Sequence, residues 1–132
     1  MKVFEYGGDS PSLDKAVRKQ CKYMVKCRSM NTVSSLVDAF EEDDCFYMII
    51  QEPEGQSLSD VLSEHSENHF EEKVVMAYLR ELLKTIGALR TMNLSHGNIT
   101  LDSVLVRNKS SGDGVRVRLR DLDHISKLSK SA

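Results

Sequence analysis

Few groups in this chain have the residue types and spacing to do chemistry. Glu41, Glu42, Asp43 and Asp44 stand side by side. A calcium loop needs spaced oxygen ligands and a glycine at its bend, so this run reads as a solvated turn. Cys21, Cys27 and Cys45 are odd in number and lack CxxC spacing, which favours reduced cytosolic thiols over a disulfide or metal site. His96 beside Gly97 invites a ligand or acid–base reading. Asn93, Asn98 and Asn108 each begin an Asn-X-Ser/Thr triplet, which has meaning only in a chain that enters the secretory pathway. Residues 1–12 lack the apolar core of a signal peptide, and no stretch approaches the length of a membrane span. A cytoplasmic protein without a membrane is expected, with a nuclear location left open.

Eighteen basic and twenty acidic residues leave a formal charge of −2, and no Lys or Arg run is long enough to follow a phosphate backbone. Nucleic acid is therefore not an expected partner. With 132 residues and 40% apolar composition, the chain can build one real core.

The elements that must hold these groups follow from periodicity. Residues 1–6 alternate briefly, and Gly7-Gly8 before Asp9-Ser10-Pro11 is a break. Ser10 is then a fitting N-cap with Pro11 at the first helical position, and Leu13, Val17, Cys21 and Met24 recur at helical spacing over residues 11–27. Residues 33–40 and 45–51 read as a hairpin around the acidic turn, and residues 57–65 as a short helix with Leu58, Val61 and Leu62 inward. The strongest signal is residues 70–92. There Val74, Val75, Tyr78, Leu79, Leu82, Leu83, Ile86 and Leu89 form a broad apolar stripe that predicts a long, largely buried helix. A polar segment around His96-Gly97-Asn98 follows. Residues 103–107 and the alternating 115–119 flank a Ser-Gly-Asp-Gly turn and predict a second hairpin. Residues 127–132 have the polarity of a frayed tail.

This order of elements resembles the eukaryotic protein kinase domain from its third strand to the start of its activation segment, and motifs agree with it. Glu54-Gly55-Gln56-Ser57-Leu58 is similar to the hinge exit E-G-G-S-L, with Ile50 at the gatekeeper position and residues 51–55 as hinge. His96-Gly97-Asn98-Ile99-Thr100-Leu101-Asp102-Ser103-Val104-Leu105-Val106 resembles the catalytic loop H-R-D-I-K-P-E-N-I-L-L. Asp121-Leu122-Asp123 is similar to D-F-G, and Met1-Lys2-Val3-Phe4 to the third-strand A-x-K-V-F. The resemblance implies an α+β, partial kinase-like fold. Residues 1–52 would form part of the upper lobe, and residues 53–132 the hinge exit and the beginning of the helical lower lobe. A whole kinase needs about twice this length, so a truncated domain without its Gly-rich loop, full activation segment and remaining lower lobe is expected.

Phosphoryl transfer asks a protein to clamp the nucleotide, hold one or two metal ions and position the acceptor hydroxyl with an Asp. By the resemblance Asn98 stands at that Asp, and an amide cannot accept a proton at neutral pH. Ser103 replaces the Asn that holds the second metal, Thr100 the loop Lys, and Gly97 the Arg of the motif. Cys21 falls where the helix Glu would pair with Lys2. His96 matches a structural His that packs under the metal motif. Asp121 is left as a metal carboxylate, with Asp123 as a second one and as a residue that should restrict the turn where the family has Gly.

The resemblance assigns any surviving nucleotide contact to Lys2, Ile50, Gln51, Glu52 and Asp121, with ATP and magnesium bound weakly and no cofactor required. The expectation is a pseudokinase that binds another protein, an active kinase or a second copy of itself. The alternatives are a residual ATP-binding protein or weak serine/threonine kinase, and a fragment with no function of its own.

Overall fold

A computed structural model describes residues 2–7, 11–65, 67, 69–108 and 114–129, with eight strands and three helices among them. Strand β1 (Lys2–Gly7), β2 (Ser35–Glu42) and β3 (Cys45–Gln51) form one antiparallel sheet in the order β1-β3-β2. In its register Lys2 lies opposite Ile50, and Ser35 opposite Gln51. The sheet carries helix α1 (Pro11–Lys26), whose apolar side packs Val17, Met24 and the following Cys27 into the core. Val17 and Met24 are seven apart in the helix and Cys27 follows three residues later, so one face of 3.6-residue periodicity is buried. Ser10 and residue 1 lie outside the described residues, as do the side chain of Leu13, residues 111–113 of the expected turn, and residues 130–132.

The first hairpin is tighter than its sequence suggests. The strands continue through Glu42 and resume at Cys45, leaving only Asp43 and Asp44 as the turn, with φ of 50° and 60°. Positive φ at both central positions matches the right-handed twist of the flanking strands, and Asp tolerates it better than most residues. Val33, expected as the first residue of β2, instead makes a parallel bridge to Leu119. The adjacent Ser34 amide donates to the Leu119 carbonyl at 3.0 Å, and the Leu119 amide to Thr32 at 2.8 Å. A bulge at Val37 then turns that side chain outward while Leu36 stays buried.

Beyond residue 52 a second antiparallel sheet joins β4 (Gln56–Ser57), β6 (Val104–Asn108) and β7 (Val115–Leu119) in the order β4-β6-β7. Ser57 caps α2 (Leu58–Glu64) by accepting from the Asp60 amide at 3.1 Å. Helix α3 (Glu72–Thr91) packs on β7, and Thr85 and Leu89 are its buried residues. The expectation of a largely buried α3 is only half met. Val75, Met76, Leu79 and Leu83 are 42–55% exposed. Periodicity marks a face as apolar, but burial needs a neighbour, and none of the described residues lies over this one.

The last correction concerns the predicted tail. Ser126–Lys127 is a short strand, β8, paired antiparallel with β5 (Leu94–Ser95), and the Leu128 amide donates to the Asn93 carbonyl at 3.0 Å. A two-residue strand carries no periodic signal, so neither partner could be read from pattern. One contiguous core runs through both segments, from Met24 and Met48 to Leu94, Leu119 and Leu122. Among the described residues no helix is long and apolar enough to cross a membrane.

Candidate functional site

β5 delivers His96 and β7 delivers Arg120-Asp121 to the same point, because β8 returns across β5 immediately after the turn. His96 is 3% exposed. Its Nε2 lies 2.7 Å from the Arg120 carbonyl, and its Nδ1 accepts from the Asn98 amide at 3.3 Å. Since a backbone N–H faces Nδ1 and a carbonyl faces Nε2, the partners select the neutral tautomer with its proton on Nε2. The ring is a strut between two backbone segments, in agreement with the structural role implied by the resemblance, and it has no vacant nitrogen for a metal.

Gly97 locks the same two segments sterically. It has φ of +87°, and a Cβ placed there would lie 2.4 Å from the His124 carbonyl oxygen and 3.1 Å from the His124 Cβ. The position the family gives to Arg is thus one where this backbone leaves no room for a side chain.

Ser103, expected at a metal-ligand position, is buried and turned back into its own loop. Its hydroxyl donates to the Thr100 carbonyl at 3.0 Å and accepts from the Thr100 amide at 2.8 Å. The resulting turn aims the Ser103 carbonyl at the Arg120 amide, 2.9 Å away. Asn98 and Thr100 are exposed, and the loop offers an amide and a hydroxyl where general base chemistry needs a carboxylate.

Asp121 has φ of 60° and ψ of 65°, the left-handed region, and precedes a single 3-10 turn, Leu122–His124. This corrects the expectation for Asp123. The left-handed backbone falls on Asp121, and Asp123 sits inside the 3-10 turn, exposed, with its carboxylate 3.6 Å from His124 Nε2. The Asp121 carboxylate lies 3.6 Å from Arg120 Nε. That same guanidinium donates to the Asp102 carbonyl at 2.7 Å and stands 4.0 Å from the Glu52 carboxylate. Arg120 therefore ties the hinge, the 96–103 loop and Asp121 together, a role that residue identity gave no reason to expect, since Asp102 and Glu52 are far away in sequence. Among the described residues no three His, Cys, Asp or Glu side chains converge as a metal site. Magnesium often rests on one or two carboxylates plus phosphate and water. Here one such carboxylate, Asp121, already faces a cation.

The expected nucleotide contacts are only partly assembled. Ile50 is buried in the core at the end of β3. Gln51 is exposed, with its amide 3.5 Å from the Glu52 carbonyl, and Glu52 is half-buried against Arg120. Lys2 faces Ile50 through its backbone, and its side chain lies outside the described residues. Cys21 sits half-buried on α1, where desolvation pushes its thiol above the ordinary value and nearby Arg18 pulls it partly back. A thiol held protonated carries no charge, so it cannot serve as the anionic partner of a lysine.

The family model of the protein kinase domain matches residues 1–132. The chain is similar to MAP kinase-interacting serine/threonine-protein kinase 2 of Xenopus laevis, 22% identical over 113 residues that cover 86% of this chain and 24% of that protein. It is also similar to dual specificity protein kinase zakA of Dictyostelium discoideum, 26% identical over 100 residues, covering 75% of this chain and 13% of that protein. With calcium-dependent protein kinase 8 of Arabidopsis thaliana the identity is 23% over 100 residues, covering 76% and 18%. The chain thus spans a quarter or less of the length of these relatives.

Proposed function

Since this chain belongs to the protein kinase domain family, we propose that it is a non-catalytic member, a pseudokinase that works by binding another protein as a scaffold or allosteric regulator. The observation that carries the reading is the 96–103 loop. Asn98 lacks the carboxylate that would position an acceptor hydroxyl, the Ser103 hydroxyl is spent on Thr100, and Gly97 is wedged against His124. Loss of a positioning base alone removes a contribution of about 10²–10⁴ in rate, and the ligand position of Ser103 fails in the same loop. Incubated with radiolabelled ATP, magnesium and generic peptide or protein substrates, the purified chain is expected to incorporate no phosphate above a no-protein blank. Incorporation that disappears in Asp121→Ala would overturn the proposal.

Protein binding is supported by the apolar face of α3. Val75, Met76, Leu79 and Leu83 stand in solvent, and full burial of such a side chain yields about 1.5–3 kcal/mol. A partner, an active kinase or a second copy of this chain, would recover that energy. Reduced thiols at Cys21, Cys27 and Cys45 fit a cytoplasmic setting. Sedimentation at micromolar concentration is expected to give a mass above the 14.9 kDa of one chain, and Leu79→Asp with Leu83→Asp is expected to reduce it. A compact monomer in both forms would argue against α3 as a contact between copies.

A second reading, residual nucleotide binding, rests on Asp121, whose carboxylate is 40% exposed. A thermal shift by ATP that is lost in Asp121→Ala would favour it without restoring catalysis.

A further inference from the structure

We propose that the cavity behind the hinge, between the loop that follows α1 and strand β7, is a docking site for an acidic segment of a partner protein, with Arg28 and Arg118 as its anion-binding pair. The cavity holds about 380 Å³, and its walls come from residues 28–35, the hinge and Arg118. Neither Asn98 nor Asp121 lines it, so the proposal stands whether or not the 96–103 loop is silent.

The fold builds this site through backbone pairing. The Val33–Leu119 bridge and the exchanges among Thr32, Ser34 and Leu119 hold the loop after α1 against the end of β7. Arg118, one residue before Leu119, alternates with buried Val117 and Leu119 and so faces away from the core. Arg28 is anchored by its Nε, which donates to the Leu36 carbonyl at 3.1 Å, leaving the other guanidinium nitrogens free to receive an anion. Ser29 and Asn31 add polar groups to the same wall.

The charge pattern decides what the cavity would take. Four charged residues line it: Arg28, Arg118, Glu52 and Glu54. Both carboxylates are engaged by other arginines. Glu54 pairs with Arg107, and Glu52 lies 4.0 Å from Arg120. Among the described residues neither Arg28 nor Arg118 forms an ion pair. Arg116, exposed two residues before Arg118 on the same side of β7, adds a further positive charge. Two guanidiniums on one concave wall, with the local carboxylates already taken, are complementary to carboxylate or phosphate, which Arg grips bidentately. Glu52 and Glu54 at the hinge would repel a long polyanion, whereas a short acidic peptide can place one or two anionic side chains against Arg28 and Arg118. An Asp/Glu segment and a phosphoserine share this chemistry.

The test uses the full chain and fluorescence anisotropy. The probes are a fluorescein-labelled Asp/Glu-rich peptide, the same peptide with a central phosphoserine, and a Lys-rich peptide of equal length. Both acidic probes are expected to bind, the phosphorylated one more tightly, and the Lys-rich one not at all. Arg118→Glu is expected to weaken the acidic probes by about tenfold or more, the scale of one charge-assisted contact. Arg118→Lys should restore part of the loss. Arg90→Glu, the same charge reversal at a different cavity, should leave binding unchanged. If Arg118→Glu does not fold, as read by its melt, Arg118→Gln replaces it with the same expected direction. The proposal is overturned if neither acidic peptide binds, if Arg118 variants bind as well as the parent, if Arg90→Glu weakens binding equally, or if a single-stranded oligonucleotide outcompetes the phosphopeptide.

Discussion

Gly97→Ala is expected to destabilise the fold by about 2–5 kcal/mol, the sum of a left-handed penalty of about 1–2 kcal/mol and an overpacking cost of about 1–3 kcal/mol. The backbone at Gly97 has φ of +87°, and the added Cβ would lie 2.4 Å from a carbonyl oxygen. The clash is with backbone, so relief requires moving the 122–124 turn or the 96–98 loop. A domain's total stability is about 5–15 kcal/mol, so this one methyl could remove a large part of it. Urea denaturation of the two proteins reads the difference. A change below about 0.5 kcal/mol, the usual range for an inert surface substitution, would mean that the loop and the turn are not in contact. Gly97→Arg, the change toward the family's loop, is expected to be at least as damaging. It follows that reinstating Asp at position 98 and Arg at position 97 together would not rebuild a kinase loop unless the His124 turn also moved.

His96→Ala is expected to cost about 3–5 kcal/mol, comparable to the loss of a large buried side chain. The ring is buried, and its removal leaves a cavity together with the Arg120 carbonyl and the Asn98 amide stripped of their partner. Each unsatisfied buried group adds about 1–3 kcal/mol unless water enters. His96→Phe separates the two contributions, because it fills the volume and omits the hydrogen bonds. We expect it to recover part of the loss, leaving a deficit of about 1–3 kcal/mol. If His96→Phe unfolds at the same denaturant concentration as the parent, the ring is held by packing alone and the hydrogen-bonded strut is not important. If His96→Ala is neutral, the 96–98 loop and the 120–124 turn are not joined through this side chain. The measurement also bears on the catalytic reading, since a His whose two nitrogens are occupied by backbone has neither a free lone pair nor a free N–H to offer a substrate.

Much of the fold was legible before any coordinates. The apolar run beside the acidic turn predicted the 45–51 strand, alternation predicted the 115–119 strand, and the four- and seven-residue spacing of Val17, Cys21 and Met24 predicted the buried side of α1. The first hairpin formed around the acidic run, with a turn of only Asp43 and Asp44, and the short helix after the hinge lies within the predicted residues 57–65. Less visible were the places where an element answers to a distant neighbour. Val33 reads as the start of a strand but bonds across to Leu119, and Lys127 reads as tail but pairs with Leu94. Val75, Leu79 and Leu83 read as core and stand exposed, because an apolar stripe reports what a helix would bury, while burial depends on what lies over it. The strain expected at Asp123 belongs to Asp121, because the 3-10 turn takes in residues 122–124 and leaves the left-handed backbone to the residue before it.

The sequence by itself determined the chemical capacities of the site. Asn98 cannot take a proton, Thr100 carries no charge and Ser103 has no carboxylate or amide, and these statements hold in any fold because they concern the atoms of one residue. The order of motifs likewise assigned the family, since relative position along the chain is a covalent fact. Only the tertiary structure decided which groups meet. Arg120 touches Asp102 and approaches Glu52 and Asp121, Gly97 is pressed on His124, and Arg28 shares a wall with Arg118. Such distances are fixed by the closing of three sheets and their helices around one core, a balance of many weak contacts that no local pattern records.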